Sequence, residues 1–245
     1  MKRVELIGVE GLPEVRPGDD IGQLISAHAA FASRDVLVVA QKVISKAEGR
    51  LVDLASIHAS AEAKRIAERL IARPDPRMVQ VVLNESVRVL RSERVLITET
   101  RHGYVCANAG VDHSNTGGRD TLTLLPVDPD ASAHRLRDRL RELTGGELGV
   151  IISDTFGRPW RLGIINIALG VAGVPALVDL RGTLDDAGEP LHATVLAVAD
   201  EIAASAGLVM GKTSRTPAVI ARGLALEGRG SGRDLIRPAA EDLFR

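Results

Sequence analysis

A chain of 245 residues with 45% hydrophobic but only 2% aromatic side chains must build its core from Ala, Val, Leu and Ile, and it is long enough for one large domain or two small ones. Its 31 basic and 32 acidic residues leave a formal charge of −1, which excludes the strongly basic footprint of a nucleic-acid binder. A single cysteine, Cys106, excludes an internal disulfide framework and fits a reducing compartment, where it reads as a small buried hydrophobe.

The first seven residues carry charge too early for a signal peptide, and no run approaches the length of a membrane span, so a cytoplasmic protein with no membrane partner is expected. Residues 3 to 9 read as a strand that ends at Glu10-Gly11-Leu12-Pro13, where Gly and Pro force a turn. Asp20 then caps a helix whose apolar face is Ile21, Leu24 and Ile25. Val36 to Val39 form a buried strand, followed by Gln41, Lys42 and Lys46. Two lysines four apart after a strand suit a phosphate, or they are simply solvated.

A helical pair is expected over 58–71 and from Met78 to Leu83, then strands over 86–91, 94–100 and 103–107, the last two joined by a hairpin turn at Arg101-His102-Gly103. They deliver the chain to Asn108-Ala109-Gly110-Val111-Asp112-His113-Ser114-Asn115, rich in side-chain oxygens and amides. Such residues also crowd ordinary turns. Leu125 to Asp130 reads as a connector and a possible internal boundary, with Asp130 capping a helix striped by Leu136, Leu140 and Leu143 that ends at Gly145-Gly146.

The stretch Gly149 to Gly163 changes character abruptly. Val150 to Ile152 is a buried strand, and Ser153, Asp154 and Thr155 are expected at its end, where α/β proteins place ligands. A carboxylate beside a hydroxyl suits a hard cation, and Arg158 and Arg161 suit phosphate or carboxylate. The alternative is a capping Asp and a solvated basic face. Further on, a strand is expected over 174–180, a turn over 185–188, a helix from Ala193 to Val209 with Asp200 and Glu201 on its solvated side, a basic loop over 210–217 and a strand over 218–221. No zinc spacing, nucleophile elbow, Walker A loop or Gly-x-Gly-x-x-Gly after a strand is present.

Five separated motifs occur in one order: Glu10-Gly11-Leu12-Pro13, Val43 to Arg50, Asn108 to Asn115, Asp154-Thr155-Phe156-Gly157-Arg158 and Ala199 to Ala203. Together they resemble the coenzyme F420-0:L-glutamate ligase family, the F420 gamma-glutamyl ligases, over nearly the whole chain. The resemblance implies an uncommon α+β fold with mixed sheets and helices in two intimately joined parts, and a homodimer. It implies GTP-dependent addition of L-glutamate to F420-0 through an acyl phosphate, with gamma-linked extension, aided by Mg²⁺ or Mn²⁺ and with K⁺ as an accessory ion.

Carried over by position, Gly11, Leu12, Pro13, Glu14, Gln41, Lys42, Lys46 and Asn115 would contact the nucleotide. Asp112 and Asp154 would hold a first cation, and Asp154 with Thr155 would lie near a second. The loop Leu208, Val209, Met210, Gly211, Lys212, Thr213, Ser214, Arg215 would close over the nucleotide, and Arg158 and Arg161 would meet the acceptor or the γ-phosphate. One departure stands out: where archaeal-type members carry an acidic or amide ligand, this chain has Lys212, and an ammonium cannot ligate a cation. The chain also lacks the nitroreductase-like domain of fused members and is expected to be the ligase module alone. Competing readings are an amide ligase with a different carboxylate acceptor and a non-catalytic nucleotide-binding module.

Overall fold

Four successive buried residues, Val36 to Val39, lie at the centre of the main sheet. A strand points alternate side chains to opposite faces, so one covered on both faces must read as an unbroken apolar run. The computed structural model describes residues 3–113, 118, 120–226 and 228–242. Its main sheet holds β1 (Glu5–Gly8), β2 (Val36–Ala40), β8 (Gly149–Arg158), β9 (Arg161–Ala172) and β12 (Ala218–Arg222) in the order β1-β12-β2-β8-β9. Only β2 and β8 run parallel. On one face Leu37, Val39, Val150, Ile152 and Ile220 pack beneath α1 (Ile21–His28), α2 (Gln41–Ala47) and α5 (Pro129–Thr144). On the other, Val36, Val38, Ile151, Val171 and Val219 meet α6 (Val198–Met210).

Residues 51 to 124 carry a separate apolar cluster around Leu54, Ile66, Leu70, Val79, Val82, Leu96 and Leu122. It joins α3 (Ala61–Arg69) and α4 (Pro76–Asn84) to the sheet of β4 (Ser86–Arg91), β5 (Ile97–Thr100) and β6 (Val105–Ala107) and to the pair β3 (Leu51–Asp53) and β7 (Thr121–Thr123). The segment leaves and rejoins the main sheet's part at adjacent points. Leu124 N donates to Arg50 O at 3.0 Å, and Arg50 Nε donates to Leu125 O at 2.9 Å while its Nη2 pairs with Glu85 at 2.7 Å. The result is an α+β fold of mixed sheets and helices. Among the described residues no helix is long and apolar enough to cross a membrane.

Several local expectations change. The cap of α5 is Asp128, which accepts from Ala131 N at 3.0 Å, because Pro129 takes the first helical position where no N–H is needed. Asp130 instead accepts from Val171 N at 2.9 Å, Gly232 N at 2.7 Å and Ser231 Oγ at 2.7 Å, tying the C-terminal segment to β9. The strand expected over 174–180 shrinks to β10 (Val178–Asp179), since Pro175 has no N–H for a ladder. Its partner β11 (Val195–Leu196) uses residues expected to be helical, so α6 starts only at Val198. Asp200 is not solvated on α6: its Oδ1 accepts from Ala168 N at 2.8 Å, beside the bulge where β9 slips by one residue against β8.

The largest change concerns Asp154. Strand β8 does not end there. Its parallel pairing with β2 stops at Ala40 and Ser153, but β8 continues with β9 as a two-stranded ribbon as far as Arg158 and Arg161. Trp160 turns the ribbon with φ of +56°, and Trp160, Leu162 and Ile164 are 81%, 99% and 58% exposed there.

Candidate active site

The parallel pairing of β2 with β8 stops at Ala40 and Ser153, and the crevice where such strands part is where α/β folds receive ligands. From β2 the chain turns into α2 and presents Lys42. Past the end of the β2 pairing, β8 presents Asp154 and Thr155. The second part of the fold contributes Asp112, held by a backbone bridge in which Asp112 N donates to Thr123 O at 3.0 Å and Thr123 N donates to Asp112 O at 2.7 Å. The tight turn leading to it has positive φ at Asn108, Ala109 and Gly110. For the two non-glycine residues that conformation costs about 1 kcal/mol each, so surrounding packing must hold them. Ala109 is buried in the apolar cluster of that part.

Two ammonium groups reach these oxygens. Lys42 Nζ pairs with Asp112 Oδ2 at 2.8 Å, and Lys212 Nζ donates to Thr155 Oγ1 at 2.6 Å. The Thr155 hydroxyl in turn donates to Asn166 Oδ1 at 3.0 Å, and Asn166 Nδ2 donates to Met210 Sδ at 3.3 Å. Asp154 is half-buried, and burial pushes its carboxyl up to about 6. A hydrogen bond from Thr155 N opposes that rise, the charge of Asp112 adds to it, and Lys212 and Lys42 draw it down. Four charged side chains from four segments therefore share one field. Cys106 on β6 feels it too: burial foremost, then the Asp154 charge, pushes its thiol up to about 12, which leaves it an inert hydrophobe.

The donor set fits a hard divalent cation. Two carboxylates and a neighbouring hydroxyl offer oxygen only, and Mg²⁺ is commonly held by one or two carboxylates together with water and substrate phosphate. Among the described residues no cluster of three His, Cys, Asp or Glu side chains forms, so no all-protein cage competes with that arrangement. Lys42 lies on the Asp112 oxygen that such a cation would use and would have to move aside.

The remaining expected residues fall in three places. Lys46 is buried and pairs with exposed Glu14, so both meet on the loop that follows β1. That loop turns at Gly11, with φ of +78°, and packs Leu12 on the core, leaving Pro13 exposed. Gln41 is buried, with its Oε1 accepting from Ser45 Oγ at 2.8 Å, so its side chain supports α2 from beneath. Leu208, Val209 and Met210 are the last residues of α6, and the loop proper is Gly211 to Arg215, with Thr213 exposed and Ser214 Oγ donating to Met210 O. Asn115 lies outside the described residues. Arg158 and Arg161 face each other at the ribbon's tip, Arg158 Nη2 donating to Leu162 O at 2.9 Å. At strand rise, the Arg158 backbone is about 13 Å beyond Asp154, and its guanidinium is held at the ribbon's tip by Leu162 O. Asn166 joins the site without having been expected there; its signal is a lone amide inside the apolar run Ile164 to Val171.

Fold and site define a class: an α+β protein with paired carboxylates and ammonium groups gathered at the open end of a sheet. Comparison makes it particular. The chain belongs to the F420-0:gamma-glutamyl ligase family, whose profile, described as F420-0:Gamma-glutamyl ligase, matches residues 11–223. It is 47% identical over 250 residues to a protein of Methanopyrus kandleri named Coenzyme F420:L-glutamate ligase, covering 99% of this chain and 97% of that one. Proteins of the same name from Archaeoglobus fulgidus and Methanothermobacter thermautotrophicus are 48% identical over 244 residues and 45% identical over 252, covering 99% of this chain and 97% and 99% of theirs.

Proposed function

We propose that this chain ligates L-glutamate to coenzyme F420-0, using GTP and a divalent cation, and extends the product through gamma-linked glutamates in F420 biosynthesis. What carries the reading is that Asp112 and Asp154, from separate parts of the fold, lie near enough for the Asp112 charge to act on the Asp154 carboxyl, in a chain matched along 99% of its length by ligases of that name. The acceptor carboxylate attacks the γ-phosphorus of GTP, GDP leaves, and an acyl phosphate forms. The glutamate amine then attacks the acyl carbon, inorganic phosphate leaves, and the amine proton is lost as the amide forms. Mg²⁺ or Mn²⁺, when bound, neutralises charge on the transferring phosphoryl group.

The chain's own groups position and neutralise. Asp154 must be ionised to act as a ligand, and Lys42 and Lys212 favour that state. Lys46 becomes a phosphate contact once Glu14 releases it, which makes the loop over 10–14 the nucleotide's point of entry. The direct test is mass spectrometry of products after incubation with F420-0, L-glutamate, GTP and Mn²⁺, omitting each in turn. A ladder spaced by glutamate residues that needs both GTP and metal is expected. Tight GTP binding without any mass shift would favour a different acceptor or a non-catalytic binding module.

A homodimer is part of the same proposal, supported by the apolar side chains at the ribbon tip. Leu162 is 99% exposed, so Leu162→Asp costs the fold nothing, yet it places a charge where a second copy would pack. Light scattering after size exclusion is expected to give a dimer for the parent and a monomer for Leu162→Asp. A monomeric parent would overturn the dimer.

A further inference from the structure

Lys212, Thr155, Asn166 and Met210 form a closed circuit. The lysine donates to the threonine hydroxyl at 2.6 Å, the hydroxyl to the Asn166 carbonyl at 3.0 Å, and the Asn166 amide to Met210 Sδ at 3.3 Å, two residues before the lysine in the chain. Each link fixes the next. Met210 is buried in the core beneath α6, so it anchors the circuit. Gly207 provides room for Asn166, because a Cβ there would lie 3.2 Å from its side-chain amide. Gly211, with φ of +55°, turns the chain back, and Ser214 Oγ holds that turn by donating to Met210 O. An exposed lysine is therefore directed to one particular oxygen.

That oxygen has little left to offer a metal. The Thr155 proton is spent on Asn166, and one of its two lone pairs accepts from an ammonium. A charge-assisted contact of 2.6 Å is shorter than a neutral hydrogen bond and about twice as strong. We propose that Lys212 acts as a tethered cation on the Thr155 flank, so that this site takes one divalent ion, between Asp112 and Asp154, in place of two. The position beside Thr155 carries one positive charge delivered by the chain, with further N–H donors available to phosphate oxygen. The inference rests on the metal-dependent reading above.

The test counts metal. Mn²⁺ bound per chain is measured by electron paramagnetic resonance in the presence of the imido analogue of GTP, with nucleotide alone subtracted, for the parent, Lys212→Arg, Lys212→Gln and Lys212→Glu. One Mn²⁺ is expected for the parent and for Lys212→Arg, which keeps the charge. For Lys212→Glu two are expected, the added one bound at least tenfold more tightly than any second ion on the parent; Lys212→Gln falls between. Two Mn²⁺ on the parent, or a count unchanged by Lys212→Glu, would overturn the tethered cation while leaving the ligase reading intact. No Mn²⁺ on any variant would remove the metal-dependent reading itself. Lys212 is exposed, so these substitutions do not threaten folding.

Discussion

Asp154→Asn is expected to lower glutamate ligation on the order of 10³-fold while making the metal-free protein more stable. The two effects share one cause. In the folded parent, burial and the Asp112 charge keep Asp154 protonated up to about pH 6, whereas an unfolded chain releases that proton near the ordinary value of 3.8. Between these values the folded state binds the extra proton, so the parent's stability is present in full below about pH 4 and falls as pH rises toward 6. The loss is on the order of 2 kcal/mol, since each tenfold gain in proton affinity is worth about 1.4 kcal/mol and solvent reaching the half-buried carboxylate screens part of it. An amide does not titrate and removes the repulsion from Asp112. Urea unfolding in the presence of a chelator should show the variant ahead of the parent at pH 7 and level with it near pH 4. Unchanged turnover would take Asp154 out of the site, and a variant less stable at pH 7 would refute the carboxylate repulsion.

Gly170→Ala is expected to cost about 3 kcal/mol or more. Gly170, on β9, pairs with Ile152 of β8 and faces the first turn of α5, where a Cβ would lie 2.1 Å from the Pro129 carbonyl oxygen. That neighbour is backbone and cannot rotate away. Three main-chain segments cross here, for a Cβ on Gly232 would lie 1.9 Å from Leu169 O, and Asp130 binds the N–H groups of both Val171 and Gly232. Gly157 on the ribbon is the control: nothing lies within 4 Å of a Cβ there, so Gly157→Ala should stay within about 0.5 kcal/mol. Thermal unfolding of the two variants beside the parent checks the contrast, and equal melting temperatures for Gly170→Ala and parent would show that the crossing is looser than these distances require.

Much of the framework was legible from local chemistry. The Val36 to Val39 run, the Asp20 cap, the Gly145 stop and the turn at Gly103 are all decided within a few residues. The Asp128 cap was also readable, because proline favours the first helical position and so points to the residue before it. The ribbon was not. Ser153 to Gly157 looks like a strand's end because its polar residues break the apolar run, and only pairing with β9 keeps it extended. Resemblance named Asp112, Asp154, Thr155 and Lys212 as residues of one site, but the contacts among them depend on packing between parts far apart in sequence. The Asn166 bridge is the clearest case, since a single amide in an apolar strand has no meaning until α6 lies across it.

The adjacency of Arg50 and Leu125 bears on the order in which the molecule assembles. Strands β2 and β8 must find each other across roughly 110 residues, and parallel pairing over such a span is intrinsically slow. If residues 51 to 124 condense first around their own apolar cluster, their ends are already together, and the chain that remains to be closed is effectively roughly 40 residues long. The entropic saving is about 1 kcal/mol on loop-closure arithmetic, several-fold in the rate of the pairing step. An embedded unit that folds early thus acts as an internal splint for the sheet, and the carboxylate it carries at Asp112 reaches the site only when that sheet is complete.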